Sequence, residues 1–174
     1  MTTPVTTDPF TLVYNKLWTY IEADETLAAL IKPGNRVKVT GDKQMPIKAS
    51  VQDGDMPELV IEPAGGLTHA HFSSTSAQVV QDYRFTLTTG TLMADENLFP
   101  IKWALIRLFA SIMTEHLGLD WVTSVDLASR DEEGVDTEQA KNRGTSGWSL
   151  GLTLSVMMTF NRNAGGGLPT TLQP

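Results

Sequence analysis

The stretch from Trp148 to Phe160, WSLGLTLSVMMTF, decides the fold class. Trp148, Leu150, Leu152, Leu154, Val156, Met158 and Phe160 hold alternate positions. Ser149, Gly151, Thr153, Ser155 and Thr159 fill the others, with Met157 the single apolar exception. Alternation sustained over this length is that of a strand with one face on a core. At roughly 3.3 Å per residue it would run about 43 Å, so it needs a long neighbour. The 79–89 segment supplies one: Val79, Tyr83, Phe85 and Leu87 lie on one side, Asp82, Arg84, Thr86 and Thr88 on the other. Antiparallel pairing is the expectation. Gln81 interrupts the apolar side, which puts the start of this strand beyond the core.

Outward from this pair, Trp121, Thr123, Val125 and Leu127 alternate with Val122, Ser124, Asp126 and Ala128, predicting a third strand. Short β-like runs at 36–40 and 58–62 flank a stretch broken by Gly41, Pro46, Gly54 and Pro57, and the bracket of Pro57 and Pro63 predicts a short or edge strand. Asp8-Pro9 reads as a helix start, a carboxylate cap followed by a proline where no donor is needed. Phe10, Val13, Tyr14, Leu17 and Ile21 then form one apolar face. A second start at Asp24-Glu25 leads to Leu27, Leu30 and Ile31, and Lys32-Pro33-Gly34 ends it.

The longest helix opens at Phe99-Pro100, with Asn97 as its cap and Gly118 as its stop. Phe99, Trp103, Ile106, Ala110, Met113 and Leu117 form its predicted core stripe, widened by Leu105, Leu108, Phe109 and Ile112. Lys102, Arg107 and Glu115 leave a narrow polar edge, so the helix is expected to be buried on more than one side. His116 lies near its C-terminal end, where a cation suits the dipole.

Two polar segments read as long loops. Residues 63–77, PAGGLTHAHFSSTSA, are small and hydroxyl-rich; residues 130–147 hold five acids and three bases with no core-sized residue but Val135. The predicted class is therefore α+β: a mainly antiparallel sheet with helices packed on one face and long polar loops. The expected organisation is one domain over residues 8–162, between a flexible start (1–7) and a Gly/Pro-rich tail (163–174).

The chain of 174 residues contains no cysteine, which rules out disulfides, thiolate metal sites and cysteine nucleophiles. A formal charge of −7 argues against ordinary nucleic-acid binding. Neither a spanning apolar run nor a signal-peptide pattern is visible, and a soluble intracellular protein is the expectation.

Candidate chemistry is sparse. His69-Ala-His71 is half a metal site at most, and His116 is the only other histidine. Asp53-Gly-Asp55 begins like a calcium loop that Met56-Pro57 does not continue. Ser73, Ser74 and Ser76 belong to no nucleophile elbow, and Gly65-Gly66 to no dinucleotide fingerprint. No set of residues meets the requirements of an active site, so the reading is non-enzymatic with no cofactor.

The order of elements resembles a family. The opening helix with its D-x-x-L-x-x-L turn (Asp24, Leu27, Leu30) and the P-E-L-V-I run from Pro57 to Ile61 are similar to tailed-bacteriophage tail terminator and neck (tail-completion) proteins. The strand holding Tyr83-Arg-Phe-Thr-Leu, the helix from Phe99 and the final strands extend the resemblance over Asp8 to Phe160. It implies a structural virion subunit in a homohexameric ring that caps the tail tube and meets the head connector. Its partners would be copies of itself, tail tube protein and connector proteins. DNA would pass through an acidic lumen without specific binding, and no membrane would be involved.

Within such a ring, segments 63–78 and 130–147 would be arms that order on assembly. The expected interface residues are His69, His71, Phe72, Arg130, Asp131, Glu132, Glu133, Asp136, Glu138, Lys141 and Arg143. A head-side neck protein is the alternative, and a metal-dependent hydrolase using His69, His71 and His116 is the alternative of another class.

Overall fold

The computed structural model describes residues 8–39, 57–89, 98–134, 148–162 and residue 168. The expected termini (apart from Leu168), the Asn97 cap, the Asp53-Gly-Asp55 turn and the turn at 90–96 lie outside these residues.

Local chemistry starts each helix. The Asp8 carboxylate accepts from the Thr11 amide at 2.8 Å, and Pro9 opens α1 (Pro9–Ala23). Asp24 accepts from the Leu27 amide at 2.7 Å and begins α2 (Glu25–Leu30), which runs through Ile31 into a 3-10 turn at Pro33–Asn35. Helix α3 (Phe99–Glu115) ends one turn earlier than expected. His116, Leu117 and Gly118 take φ of 49°, 60° and 64° in succession, so the left-handed exit begins at an imidazole before it reaches the glycine. Burial of the Leu117 side chain in the core offsets its backbone strain.

Among the described residues, five strands form one sheet in the order β1-β2-β3-β5-β4. They are β1 (Arg36–Lys38), β2 (Glu58–Phe72), β3 (Ser76–Thr88), β4 (Val122–Gly134) and β5 (Trp148–Asn161). Only β1 and β2 are parallel; the other neighbours are antiparallel. The fold is α+β, as the alternating segments predict. β3 and β5 pair over thirteen residues, from Ser76 with Asn161 to Thr88 with Ser149.

The core lies on one face, with Ala77, Val79, Tyr83, Phe85 and Leu87 of β3 beside the even-numbered residues 150–160 of β5. Gln81 does not mark an end to it. The residue is buried, and its Nε2 donates to the Asp82 carbonyl at 2.9 Å, so a locally satisfied amide sits within a continuous apolar strand. α1 supplies Val13, Leu17 and Ile21 to the same core, and α3 supplies Ile101, Leu105, Leu108, Phe109 and Ile112.

Polar hooks fix α1 to the sheet. The Tyr14 hydroxyl reaches the carbonyls of Val39 and Ile61, each at 2.7 Å, and the Tyr14 ring stacks on Tyr83 with centroids 5.8 Å apart. The Tyr83 hydroxyl donates to the Phe10 carbonyl at 3.1 Å. Burial pushes the Tyr14 pKa up to about 12. Tyr20 rises to about 12 as well, through burial and its hydrogen bond to Glu115, which clasps α1 to the end of α3.

Candidate interaction surfaces

The segment expected to be a loop over 63–77 is strand. β2 extends to Phe72, its pairing with β3 interrupted by a shift of register between Ala64 and His69, after which His69, Ala70, His71 and Phe72 pair with Val80, Val79, Gln78 and Ala77. The turn is only Ser73–Thr75. The Ser73 hydroxyl accepts from the amides of Ser76 at 2.9 Å and Thr75 at 3.3 Å, while the Ser73 amide donates to the Ser76 carbonyl at 2.8 Å. A serine that bonds its own backbone two and three residues ahead is a hairpin signal. Small side chains read as irregular, but ladder bonds are made by the backbone, and the strongly patterned β3 imposes a partner on them.

The second expected loop is strand in its first part. Arg130, Asp131, Glu132 and Glu133 pair with Leu152, Gly151, Leu150 and Ser149, and β4 ends at Gly134. Asp136, Glu138, Lys141 and Arg143 lie outside the described residues. His71 and Phe72 are exposed, Phe72 by 57%. His69 and His71 are placed two apart on β2, while His116 stands at the end of α3. Among the described residues no group of three or more histidines or carboxylates is placed to hold a metal ion.

The largest departure from expectation concerns α3. The stripe assigned to the core is the one that faces outward: Phe99 is 54% exposed, Trp103 62% and Ile106 37%, and Ala110 is exposed between Arg107 and Thr114. Met113 is half-buried beside them and Leu117 alone is in the core. The arc of Ile101, Ala104, Leu105, Leu108, Phe109 and Ile112 takes the sheet side, with Phe109 edge-on to Phe85 at 4.8 Å between centroids. Six residues outcompete four for the core. A helix apolar on both sides is built to be covered twice, and the described residues cover it once.

The sheet edges differ along their length. Val39 donates to the Ile61 carbonyl at 3.0 Å, so Ile61 directs its polar groups toward β1, and Pro63, two residues on, has its missing donor on that same side. β1 ends there, and among the described residues Glu62–Phe72 is an outer edge that carries a proline and a bulge. β4 has shifts of register between Val122 and Ser124 and between Leu127 and Ser129; from Ser129 to Gly134 its pairing is regular. Prolines and bulges are devices that prevent edge pairing. The regular part of β4 carries acids instead.

On the face of the sheet away from the helices, Ser155 donates to the Asp82 carboxylate, and the hydroxyls of Thr123 and Thr159 lie 3.0 Å apart. This is the hydroxyl-rich face that the alternation in β5 predicts. Among the described residues, no helix is long and apolar enough to cross a membrane. No protein-family model matches the chain, and no curated protein does.

Proposed function

We propose that this protein is a structural subunit of a phage tail, a tail terminator whose copies close into a ring that caps the tail tube and joins it to the head connector. The outward apolar stripe of α3 carries the reading. Phe99 and Trp103 alone leave roughly 250 Å² of aromatic surface in water, and covering it would contribute on the order of 6 kcal/mol before ordering costs. Two neighbouring aromatic rings exposed on one helix face suit a protein contact. In this reading the stripe is the docking face for tube or connector protein, and the hydroxyl-rich sheet face is a surface along which DNA passes without being held. Assembly takes place in the host cytoplasm and the product resides in the virion.

A native mass measurement tests the ring. Six copies of the 19.0 kDa chain would give roughly 110 kDa. Capture experiments with purified tail tube protein and with connector protein test the docking face, using the wild-type chain beside Phe99→Ser and Trp103→Ser. Loss of capture in these variants is the expected result. A chain that stays monomeric with both partners and binds neither would sink the proposal. Capture by the connector alone would favour a head-side neck protein, whose partner differs while its exposed stripe serves the same purpose.

A further inference from the structure

The geometry points to one contact between copies: the 129–134 half of β4 in one copy pairs antiparallel with β1 of the next, extending the sheet head to tail. The inference rests on the ring reading and assigns its subunit interface.

Three observations converge. The first is that most of the outer edge is blunted. Glu62–Phe72 of β2 has Pro63 and a bulge, and the first half of β4 has two register shifts, whereas Ser129–Gly134 pairs regularly with Thr153–Trp148. Among the described strands, the regular outer segments that remain are this half of β4 and the short β1, at opposite ends of the sheet.

The second is level and direction. Following the register across the sheet, Glu132, Leu150, Leu87, Leu59 and Arg36 stand in one row, and Arg130, Leu152, Phe85, Ile61 and Lys38 in another. The two segments are therefore at the same height. β1 runs with β2 and β5, and β4 runs with β3, so neighbouring copies in the same orientation bring β4 and β1 together antiparallel. Repetition without inversion is what a heterologous ring requires.

The third is charge. Between residues 129 and 134 there are three acids and one base, Asp131, Glu132 and Glu133 with Arg130. Between 31 and 39 there are three bases and no acid: Lys32, Arg36 and Lys38. By net charge, β4 against β4 would oppose two acidic segments and β1 against β1 two basic ones; the unlike pairing is the attractive one, with Glu132 level with Arg36, while Lys38, level with Arg130, has its ammonium turned to Asn15 and the Tyr14 ring. Arg36 donates through Nη1 to the Ile21 carbonyl at 3.0 Å, which holds this base beside the β1 edge.

Charge reversal on each side tests the pairing in the full chain. Asp131→Lys, Glu132→Lys and Glu133→Lys together form one variant; Lys32→Glu with Lys38→Glu forms the other. Each alone should weaken assembly by roughly tenfold or more at low salt. An equimolar mixture of the two should restore it, because every β4 then meets a β1 of opposite sign in an alternating ring. Recovery on mixing also shows that both variants are folded. Hydrogen exchange on the wild type should show amide protection rising at 36–38 and 129–134 on assembly. A wild-type ring unaffected by either variant, or one whose amides in these segments gain no protection, overturns this interface and leaves the ring standing. A wild-type chain that is monomeric throughout, with and without tube protein, overturns both.

Discussion

Helix α1 turns Val13, Leu17 and Ile21 into the core and leaves Thr11, Asn15, Thr19 and Glu22 outside, whereas α3 buries a wider arc and still leaves Phe99, Trp103 and Ile106 in water. Both pack on the same face of the same sheet. α1 is further tied down by Tyr14, Tyr83 and Lys38, whose ammonium bonds the Asn15 side chain and lies 4.8 Å over the Tyr14 ring. Its outer face is polar beyond Phe10, which is 36% exposed at the first turn. α3 is clasped to α1 by the Tyr20–Glu115 hydrogen bond and packs on the sheet through its inner arc. The difference separates the two sides of α3: the inner arc packs in the core, and the outer stripe is the surface that the proposed partner would cover.

If that division is right, substitutions on the two sides of α3 must behave differently. Phe109→Ala removes a ring set edge-on to Phe85 and leaves a cavity, and should lower unfolding stability by about 3–5 kcal/mol in a denaturant titration. A loss below about 1 kcal/mol would mean that the inner arc is loosely packed and that the comparison fails at its strongest point.

The α1 side should break at its hooks. Tyr14→Phe deprives two backbone carbonyls of their hydroxyl donor and should cost about 1–2 kcal/mol at neutral pH. The pH dependence has a definite sign. Burial raises the Tyr14 pKa to about 12, so the folded state favours the neutral phenol. The resulting stability is fully present below the ordinary tyrosine value near 10 and is lost as pH rises from there through about 12. Wild type should therefore lose stability in that window more steeply than Tyr14→Phe, followed by unfolding midpoint and tyrosinate absorbance. Parallel pH curves would show that the hydroxyl is not a coupled group. Asp24→Ala, which removes only the cap of the short α2, should cost about 1 kcal/mol by the same titration, less than the hook and much less than the ring.

What was legible in the sequence follows the same division. The β3 and β5 alternation, the Asp8-Pro9 and Asp24 caps and the α+β class are all local signals, and each corresponds to an observed element. The second half of β2 was not legible, because His69 to Phe72 pair through the backbone with a partner that lies across a turn of serines and threonine. Arg130 to Glu133 read as a solvated charge run for a similar reason: β5 provides the alternation that pairs with them, and they carry none themselves. On α3 the sequence marks both apolar arcs as core; Leu105, Leu108, Phe109 and Ile112 are buried as expected, whereas Phe99, Trp103 and Ile106 are not. Helical period shows that two apolar arcs exist, but which of them meets the sheet is decided by their competition in three dimensions. The candidate site was hidden because an exposed stripe and a core stripe share one sequence pattern.

The smallest expected effect on the fold is the most telling one. Trp103→Ser exchanges an indole that is 62% exposed, far from the inner arc, and should change the unfolding free energy by no more than about 0.5 kcal/mol. Measured beside Phe109→Ala, it asks whether the outer stripe contributes anything to the isolated chain. A loss of 2 kcal/mol or more would show that the chain itself covers Trp103 in solution, and α3 would then resemble α1, completed from within. Unchanged stability would leave the stripe with no intramolecular purpose. An apolar row held in water by a helix that does not need it for folding is then accounted for by the surface that comes to cover it.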